Sequence, residues 1–278
     1  MTGAVLALLC LSGDPETFEF EGLKRLYFLD IPETKGPAPL ILLCHGGGMT
    51  AASFRKQRGA ELKEEARKHG IVPAFGQAGR RHKDGFGWNS FDEGSRALPQ
   101  GEKYCDDRAY VLEVLRRIQE KVKIDPARIY VAGFSSGGKF AHYLAAKHPD
   151  VFAAAAPVAT AIASAEAEEE LVFPPTPAGP ISIMIVNGGR DPKNPLKGGT
   201  TEDGTRRSSV QEAVDFWVKA NGCDPTPKVE SPSDKVRISR YTGGKNGSEV
   251  SYGEIRPMDQ RWPDEKDGWG FSANREVV

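Results

Sequence analysis

The segment Gly133-Phe134-Ser135-Ser136-Gly137 constrains this chain more than any other. It follows a short apolar run, Arg128–Ala132, and opens the helix-patterned stretch Lys139–Lys147. A serine flanked by glycines between a strand and a helix reads as a sharp turn, because side chains in place of the glycines would collide with the backbone. Such a turn presents the Ser135 hydroxyl at the carboxyl edge of a sheet, where open α/β sheets bind their ligands. The plainer alternative is a glycine-rich turn that caps a helix.

The remainder of the chain supplies such a sheet. Leu40–Cys44, Ile71–Phe75, Phe152–Val158 and Ile181–Val186 are short apolar runs, as expected of strands buried on both faces. Thr17–Phe20 and Lys24–Ile31 read as a hairpin, and Val236–Tyr241 and Val250–Ile255 as strands joined by the GGKNG turn at 243–247. Thr50 caps a helix running to about His69. Val111, Leu115, Ile118 and Val122 form one stripe of a second helix, which Asp125-Pro126 ends. Val210–Ala220 is a third helix, closed by Asn221-Gly222. Strands separated by helices predict an α/β fold with a doubly wound, mostly parallel sheet, here as one domain over residues 1–278. Ala159–Pro180 and Lys193–Arg207 read as polar loops, and Glu166, Glu168, Glu169 and Glu170 as a solvated surface.

Composition narrows the function classes. With 37 basic and 38 acidic residues the net charge is -1, so no nucleic-acid partner is expected. No stretch reaches the roughly 18 apolar residues of a membrane span. Cys10, Cys44, Cys105 and Cys223 form no CxxC pair, which argues against a zinc knuckle and leaves disulfide pairing unread. The apolar run Ala4–Leu11, within residues 1–15, lacks a basic leader and a cleavage site. A trimmed signal remnant, a first strand and a disordered start all stay open for it. No GxGxxG opens the first strand–helix unit, which disfavours a dinucleotide-dependent oxidoreductase. Oligomeric state has no signature here.

Two further motifs follow buried strands. His45-Gly46-Gly47-Gly48 succeeds Leu40–Cys44, and bare glycine backbone lets amide groups approach a developing oxyanion. The Gly47 and Ser136 amides are the expected pair of donors, with His45 structural. Asp191 lies in Gly188-Gly189-Arg190-Asp191-Pro192 after Ile181–Val186, where an acid could orient an imidazole. Its plainer reading is an Asp-Pro turn. Asp106-Asp107 reads as a cap on the second helix. Asn246-Gly247-Ser248 reads as part of a hairpin turn in preference to a glycosylation site.

The stretch DPARIYVAGFSSGGKFAHYLAAKHPDVFAAAAPVA resembles the nucleophile region of the polyhydroxybutyrate depolymerase and feruloyl esterase family. The resemblance extends to the HGGG loop, Trp88-Asn89, Asp106-Asp107, VNGGRDPKNP and Asn221–Cys223, from about Phe18 to Phe271. It implies an α/β-hydrolase fold and a secreted or periplasmic serine carboxylesterase that forms an acyl-serine intermediate, with Ser135 as nucleophile and Asp191 as triad acid. It implies no metal or organic cofactor. The implied substrates are small or polymeric esters of short-chain, aromatic (feruloyl-like) or polyester type. Trp88 and Trp262 are expected to wall the pocket, with core packing as their alternative role.

One departure stands out. Where the family's segment reads like G-H-x-W-P, this chain has Met258-Asp259-Gln260-Arg261-Trp262-Pro263, so Gln260 occupies the place of the triad histidine. All five histidines, His45, His69, His82, His142 and His148, precede Asp191. Three readings stay open: a deliberate replacement that traps a substrate complex or switches off turnover, a natural inactive relative that binds esters or glycans, or another group as base. His82 is the candidate substitute, although its loop reads more naturally as a pocket wall. His69, His142 and His148 are expected on helix surfaces. Phe271–Val278 reads as the opening of a final helix cut short.

Overall fold

The computed structural model describes residues 13–82, 85–91, 105–166 and 169–278, without the side chains of 80–82. In chain order the elements are β1 (Glu16–Phe20), β2 (Leu23–Leu29), β3 (Ala38–Cys44), α1 (Ala51–His69), β4 (Val72–Gly76), β5 (Arg80–His82) and β6 (Gly85–Gly87). There follow α2 (Asp107–Lys121), β7 (Ile124–Phe134), α3 (Ser136–Lys147), β8 (Ala154–Val158), β9 (Ser164–Ala165) and β10 (Ser182–Gly188). The rest are β11 (Gly199–Thr200), β12 (Arg206–Arg207), α4 (Val210–Asn221), β13 (Lys228–Ser233), β14 (Val236–Tyr241), β15 (Val250–Ile255) and α5 (Ala273–Glu276).

Ten strands form one sheet in the order β1-β2-β4-β3-β7-β8-β10-β15-β14-β13. The six strands from β4 to β15 run parallel, and antiparallel strands close both edges. β3 shows why its run is uniformly apolar. Leu40, Leu42 and Cys44 pack under α2, α3 and α4, whereas Ile41 and Leu43 face the opposite layer under α1 and α5. The two-residue side-chain period thus divides one strand between two cores, and burying each Leu or Ile contributes about 1.5–3 kcal/mol. Helix ends follow their sequence signals. Thr50 caps α1 from its side chain, Asp106 accepts from the Ala109 amide at 2.8 Å, and Gly222 closes α4 in the left-handed conformation.

Several expectations need correction. α2 stops at Lys121, and Asp125-Pro126 lies inside β7 at a shift of its register with β3. The stretch 193–207, expected as a loop, contributes β11 and β12, which join β9 in a separate three-stranded sheet. β13 was not anticipated because it contains Pro232 and shows no apolar alternation; both are tolerated at a sheet edge. α5 is a four-residue helix beside a groove of ≈ 360 Å³ on the sheet face, lined in part by Ile41, Tyr130, Met184 and Val278.

His142 is a further correction. It is fully buried, because α3 is enclosed on nearly every side, and Trp217 of α4 donates its indole N–H to His142 Nδ1 at 2.9 Å. His69 is about half exposed and His148 largely covered. Burial pushes the His142 imidazole down to about 3, against an ordinary 6.5. A histidine with a depressed folded pKa is neutral in the fold, while the unfolded chain takes up a proton below pH 6.5. Its contribution to stability is therefore complete above pH 6.5 and is lost progressively as pH falls toward 3. His142→Asn keeps an acceptor for Trp217 and removes the titration. Urea unfolding between pH 7 and 4.5 should give the variant a shallower loss of stability than the parent; parallel curves would contradict this.

Candidate active site

β7 ends in the turn that carries Ser135. Its backbone sits at φ 52°, ψ -114°, a strained region for a residue with a side chain that costs about 1–3 kcal/mol. Close packing holds it there. A Cβ on Gly133 would lie 2.0 Å from the Gly137 carbonyl oxygen, and one on Gly137 would lie 2.2 Å from that of Cys44. The Ser135 amide donates to Val158 O at 2.9 Å, and the Ser135 carbonyl accepts from Lys139 N at 2.9 Å as α3 begins. The hydroxyl therefore stands at the carboxyl edge of the sheet, beside the positive end of α3.

The HGGG loop lies against this turn. A Cβ on Gly47 would come 3.6 Å from Ser136 Cβ, so the two residues expected to donate to an oxyanion are neighbours. As the first residue of α3, Ser136 has an amide without an intrahelical acceptor. His45 holds the loop. Its Nδ1 is 2.8 Å from Gly46 O, and its Nε2 accepts from Ala78 N at 3.2 Å and lies 3.0 Å from Gln77 Nε2. Nδ1 is thus the protonated nitrogen, and burial, pushing the imidazole down to about 4, keeps it neutral. Gly48 N donates to Phe86 O at 3.0 Å, which ties the loop to β6.

Gln260 reaches the serine directly. Its Nε2 donates to Ser135 Oγ at 2.9 Å. The turn that carries it is anchored by Met258 and Trp262, both buried. Gly189 N donates to Ile255 O and Arg190 N to Met258 O, which ties the Asp191 turn to the residues leading into Gln260. Asp191 is buried. Its Oδ1 accepts from the amides of Lys193 at 2.8 Å and Asn194 at 3.0 Å, and its Oδ2 has no hydrogen-bond partner among the described residues. Burial raises the Asp191 carboxyl above its ordinary value, against those two amides, which lower it. A buried carboxylate oxygen left without a partner among the described residues calls for an explanation.

A cleft of ≈ 510 Å³ opens over these groups. Trp88 lines it with one edge while its ring stacks on Phe140 at 4.7 Å and its indole N–H donates to His45 O at 2.9 Å. Trp262 does not line it, which corrects the expectation of a second wall. Its ring packs edge-on against Phe54 at 5.6 Å, and its indole N–H donates to Asn274 at 3.0 Å, so it serves as the buried anchor of the Gln260 turn. His82 belongs to β5, which pairs with β6, but its side chain lies outside the described residues. Phe134, Lys139, Lys193 and Arg207 also line the cleft and were not singled out from sequence. Lys139 follows Ser135 by one helical turn, a spacing that could have marked it.

Behind Trp88 lies a buried ion pair. Arg25 of β2 donates to Asp107 Oδ1 at 2.6 Å, and the Asp107 carboxylate also accepts from Gly79 N at 2.9 Å and Asn89 N at 3.0 Å. Asp106 is the cap that the sequence suggested, whereas Asp107 clamps both ends of the segment that carries β5, β6 and Trp88. Among the described residues, no cluster of His, Cys, Asp and Glu could hold a metal, and no helix is long and apolar enough to cross a membrane. Cys44, Cys105 and Cys223 are free thiols, while Cys10 lies outside the described residues.

A family model described as the alpha/beta hydrolase fold matches residues 39–195. Feruloyl esterase B of Piromyces equi is 29% identical over 240 residues, 84% of this chain and 41% of that protein. Poly(3-hydroxyalkanoate) depolymerase C of Paucimonas lemoignei is 29% identical over 203 residues, 69% of this chain and 47% of that protein. The chain spans about half the length of the curated relatives it matches. Among solved structures, an acetyl xylan esterase from Aspergillus awamori superposes with a TM-score of 0.60 at 14% identity, covering 88% of this chain and 93% of that one. At that identity the likeness is one of fold.

The Asp107 clamp makes a stability prediction. Asp107→Ala leaves the Arg25 charge buried without its partner and should cost about 3–5 kcal/mol in urea unfolding. A loss below about 1 kcal/mol would mean that the pair is not closed in solution.

Proposed function

The chain belongs to the alpha/beta hydrolase fold family, and from that membership we propose that it is a serine carboxylesterase scaffold with its general base replaced. Ser135 is the acyl-accepting hydroxyl, the Gly47 and Ser136 amides receive the oxyanion, and Asp191 is the acid of an incomplete triad. The substrates are small or polymeric carboxylic esters of short-chain, aromatic or polyester type. The names of the relatives support that range without choosing within it. An extracellular or periplasmic location, as a single domain, accompanies this reading.

The observation that carries the proposal is the 2.9 Å hydrogen bond from Gln260 Nε2 to Ser135 Oγ. It supports the reading because a side chain of imidazole-like reach meets the hydroxyl of a serine held by a strained turn. Acyl transfer requires Oγ to bond to the ester carbonyl carbon while losing its proton. A base takes that proton and returns it to the departing alkoxide, and water then releases the acyl group from the serine. An amide N–H that points at Oγ does neither, because the nitrogen carries no basic lone pair at neutral pH. In comparable triads, loss of the base costs on the order of 10⁶-fold in turnover.

A second reading, a non-catalytic ester- or glycan-binding protein, is favoured by the same bond, since Gln260 fixes the hydroxyl without activating it. Hydrolysis of 4-nitrophenyl acetate separates the two. We expect slow turnover by the parent that Ser135→Ala reduces further; equal rates for both would support the binding protein. Gln260→His should raise turnover by on the order of 10³-fold or more, because the imidazole can accept the Oγ proton and face Asp191. The gain should vanish in the Gln260→His, Ser135→Ala double variant. A well-folded Gln260→His protein no faster than the parent would remove position 260 from the base site.

A further inference from the structure

We propose that the cleft selects esters that carry a free carboxylate close to the scissile bond, and that Arg207 is the residue that grips it, with Lys193 beside it. This rests on the reading of Ser135 as the acyl-accepting group and narrows its substrate class.

The three-stranded sheet of β9, β11 and β12 lies apart from the main sheet and places Arg207 in the cleft lining. In its register Arg207 is opposite Ser164 on one side and Gly199 on the other. The next residue, Ser208, is buried and locks the strand, donating its amide to Ala163 O at 3.0 Å and accepting from Ala163 N at 3.1 Å. The Arg207 side chain is only 21% exposed, a costly position for a guanidinium without a tight partner. Among the described residues its nearest carboxylate, Asp203, is 3.9 Å away and 59% exposed, and Glu166 and the buried Asp191 act on it only as charges from further off. Burial accordingly lowers its pKa from the ordinary value.

The orientation of the guanidinium suits a bidentate ligand. Arg207 Nε donates to Lys193 O at 3.1 Å, which fixes the plane through the inner nitrogen, and Nη2 faces Asp203 at 3.9 Å, beyond hydrogen-bond distance, so the terminal fork is the end that a carboxylate can match. Lys193 lines the same cleft from the Asp191 turn, to which its own amide is tied at 2.8 Å. Lys139 lines it too, with its ammonium donating to Ser164 Oγ at 2.7 Å. Among the described residues the lining holds these three cations and no carboxylate. In a partly enclosed cleft, like charges of that kind raise the local anion concentration and reward a bound anion.

The carboxylate could belong to the acid part, as in a dicarboxylic half ester, or to the alcohol part, as in an esterified hydroxyacid or a hydroxyacid oligomer. Matched pairs distinguish them: monomethyl against dimethyl glutarate for the acid side, and acetoxyacetate against its methyl ester for the alcohol side. In the Gln260→His protein at low salt, the anionic member of one pair should have the higher kcat/KM by about tenfold or more, the scale of a charged hydrogen bond. The preference should shrink in high salt. Arg207→Gln should reduce it by a similar factor through KM, and Arg207→Lys, which keeps the charge without the fork, should fall between. In parallel, calorimetric titration of the Ser135→Ala protein should show monomethyl glutarate or acetoxyacetate binding more tightly than its neutral partner. Turnover of both pairs without preference would overturn the carboxylate proposal and leave the esterase reading standing. No turnover by Gln260→His, with selective binding that Arg207→Gln abolishes, would do the reverse. An unchanged preference in a folded Arg207→Gln protein would overturn the role of Arg207.

Discussion

The backbone at Ser135 is the constraint on which the rest of the site depends. A residue with a side chain is held at φ 52° because the turn is clamped from three sides: α3 begins at once, the Ser135 amide is bonded to Val158, and the HGGG strand end presses on Gly137. The strain of about 1–3 kcal/mol is sustained by a sheet whose central strands are buried on both faces. The same packing places Gly47 against Ser136, so the hydroxyl and the two amides proposed for the oxyanion are positioned by one contact between two turns.

The electrostatics of the site are compatible with the proposal that one proton carrier is absent. His45 is neutral, oriented by Gly46 and Ala78, and committed to holding its loop. Asp191 keeps one oxygen satisfied by two backbone amides and one with no partner among the described residues. An unsatisfied buried carboxylate oxygen costs free energy that a neighbouring imidazole N–H would recover. Gln260 reaches the serine, yet it donates where a base would accept. Around this core the described lining of the cleft carries three cationic side chains, Lys139 from α3, Lys193 from the Asp191 turn and Arg207 from the small accessory sheet.

Features legible in the sequence were those fixed by local chemistry. The glycine-flanked serine, the HGGG loop, the Asp-Pro turn after a buried strand and the capping residues Thr50 and Asp106 each depend on a few consecutive residues. All lie where their motifs implied, and the place of Gln260 followed from the frame of Trp262-Pro263. What sequence hid depends on distant partners. Trp262 is an anchor and not a cleft wall because Phe54 and Asn274 meet it from α1 and α5. His142 is interior because Trp217, 75 residues away, covers it. Asp107 reads as part of a helix cap until β2 brings Arg25 against it. The accessory sheet escaped notice because its strands are two residues long, too short for any period to register.

The central claim is that residue 260 governs the reactivity of Ser135. The most direct measurement is the rate at which a fluorophosphonate phosphonylates the protein, followed by intact mass with the site mapped by peptide sequencing. Phosphonylation requires the Oγ proton to leave and does not depend on which ester the cleft prefers. We expect a single adduct at Ser135 that forms slowly in the parent and orders of magnitude faster in Gln260→His. Labelling of the parent as fast as that of Gln260→His would contradict the claim, because it would mean that another group already activates the serine.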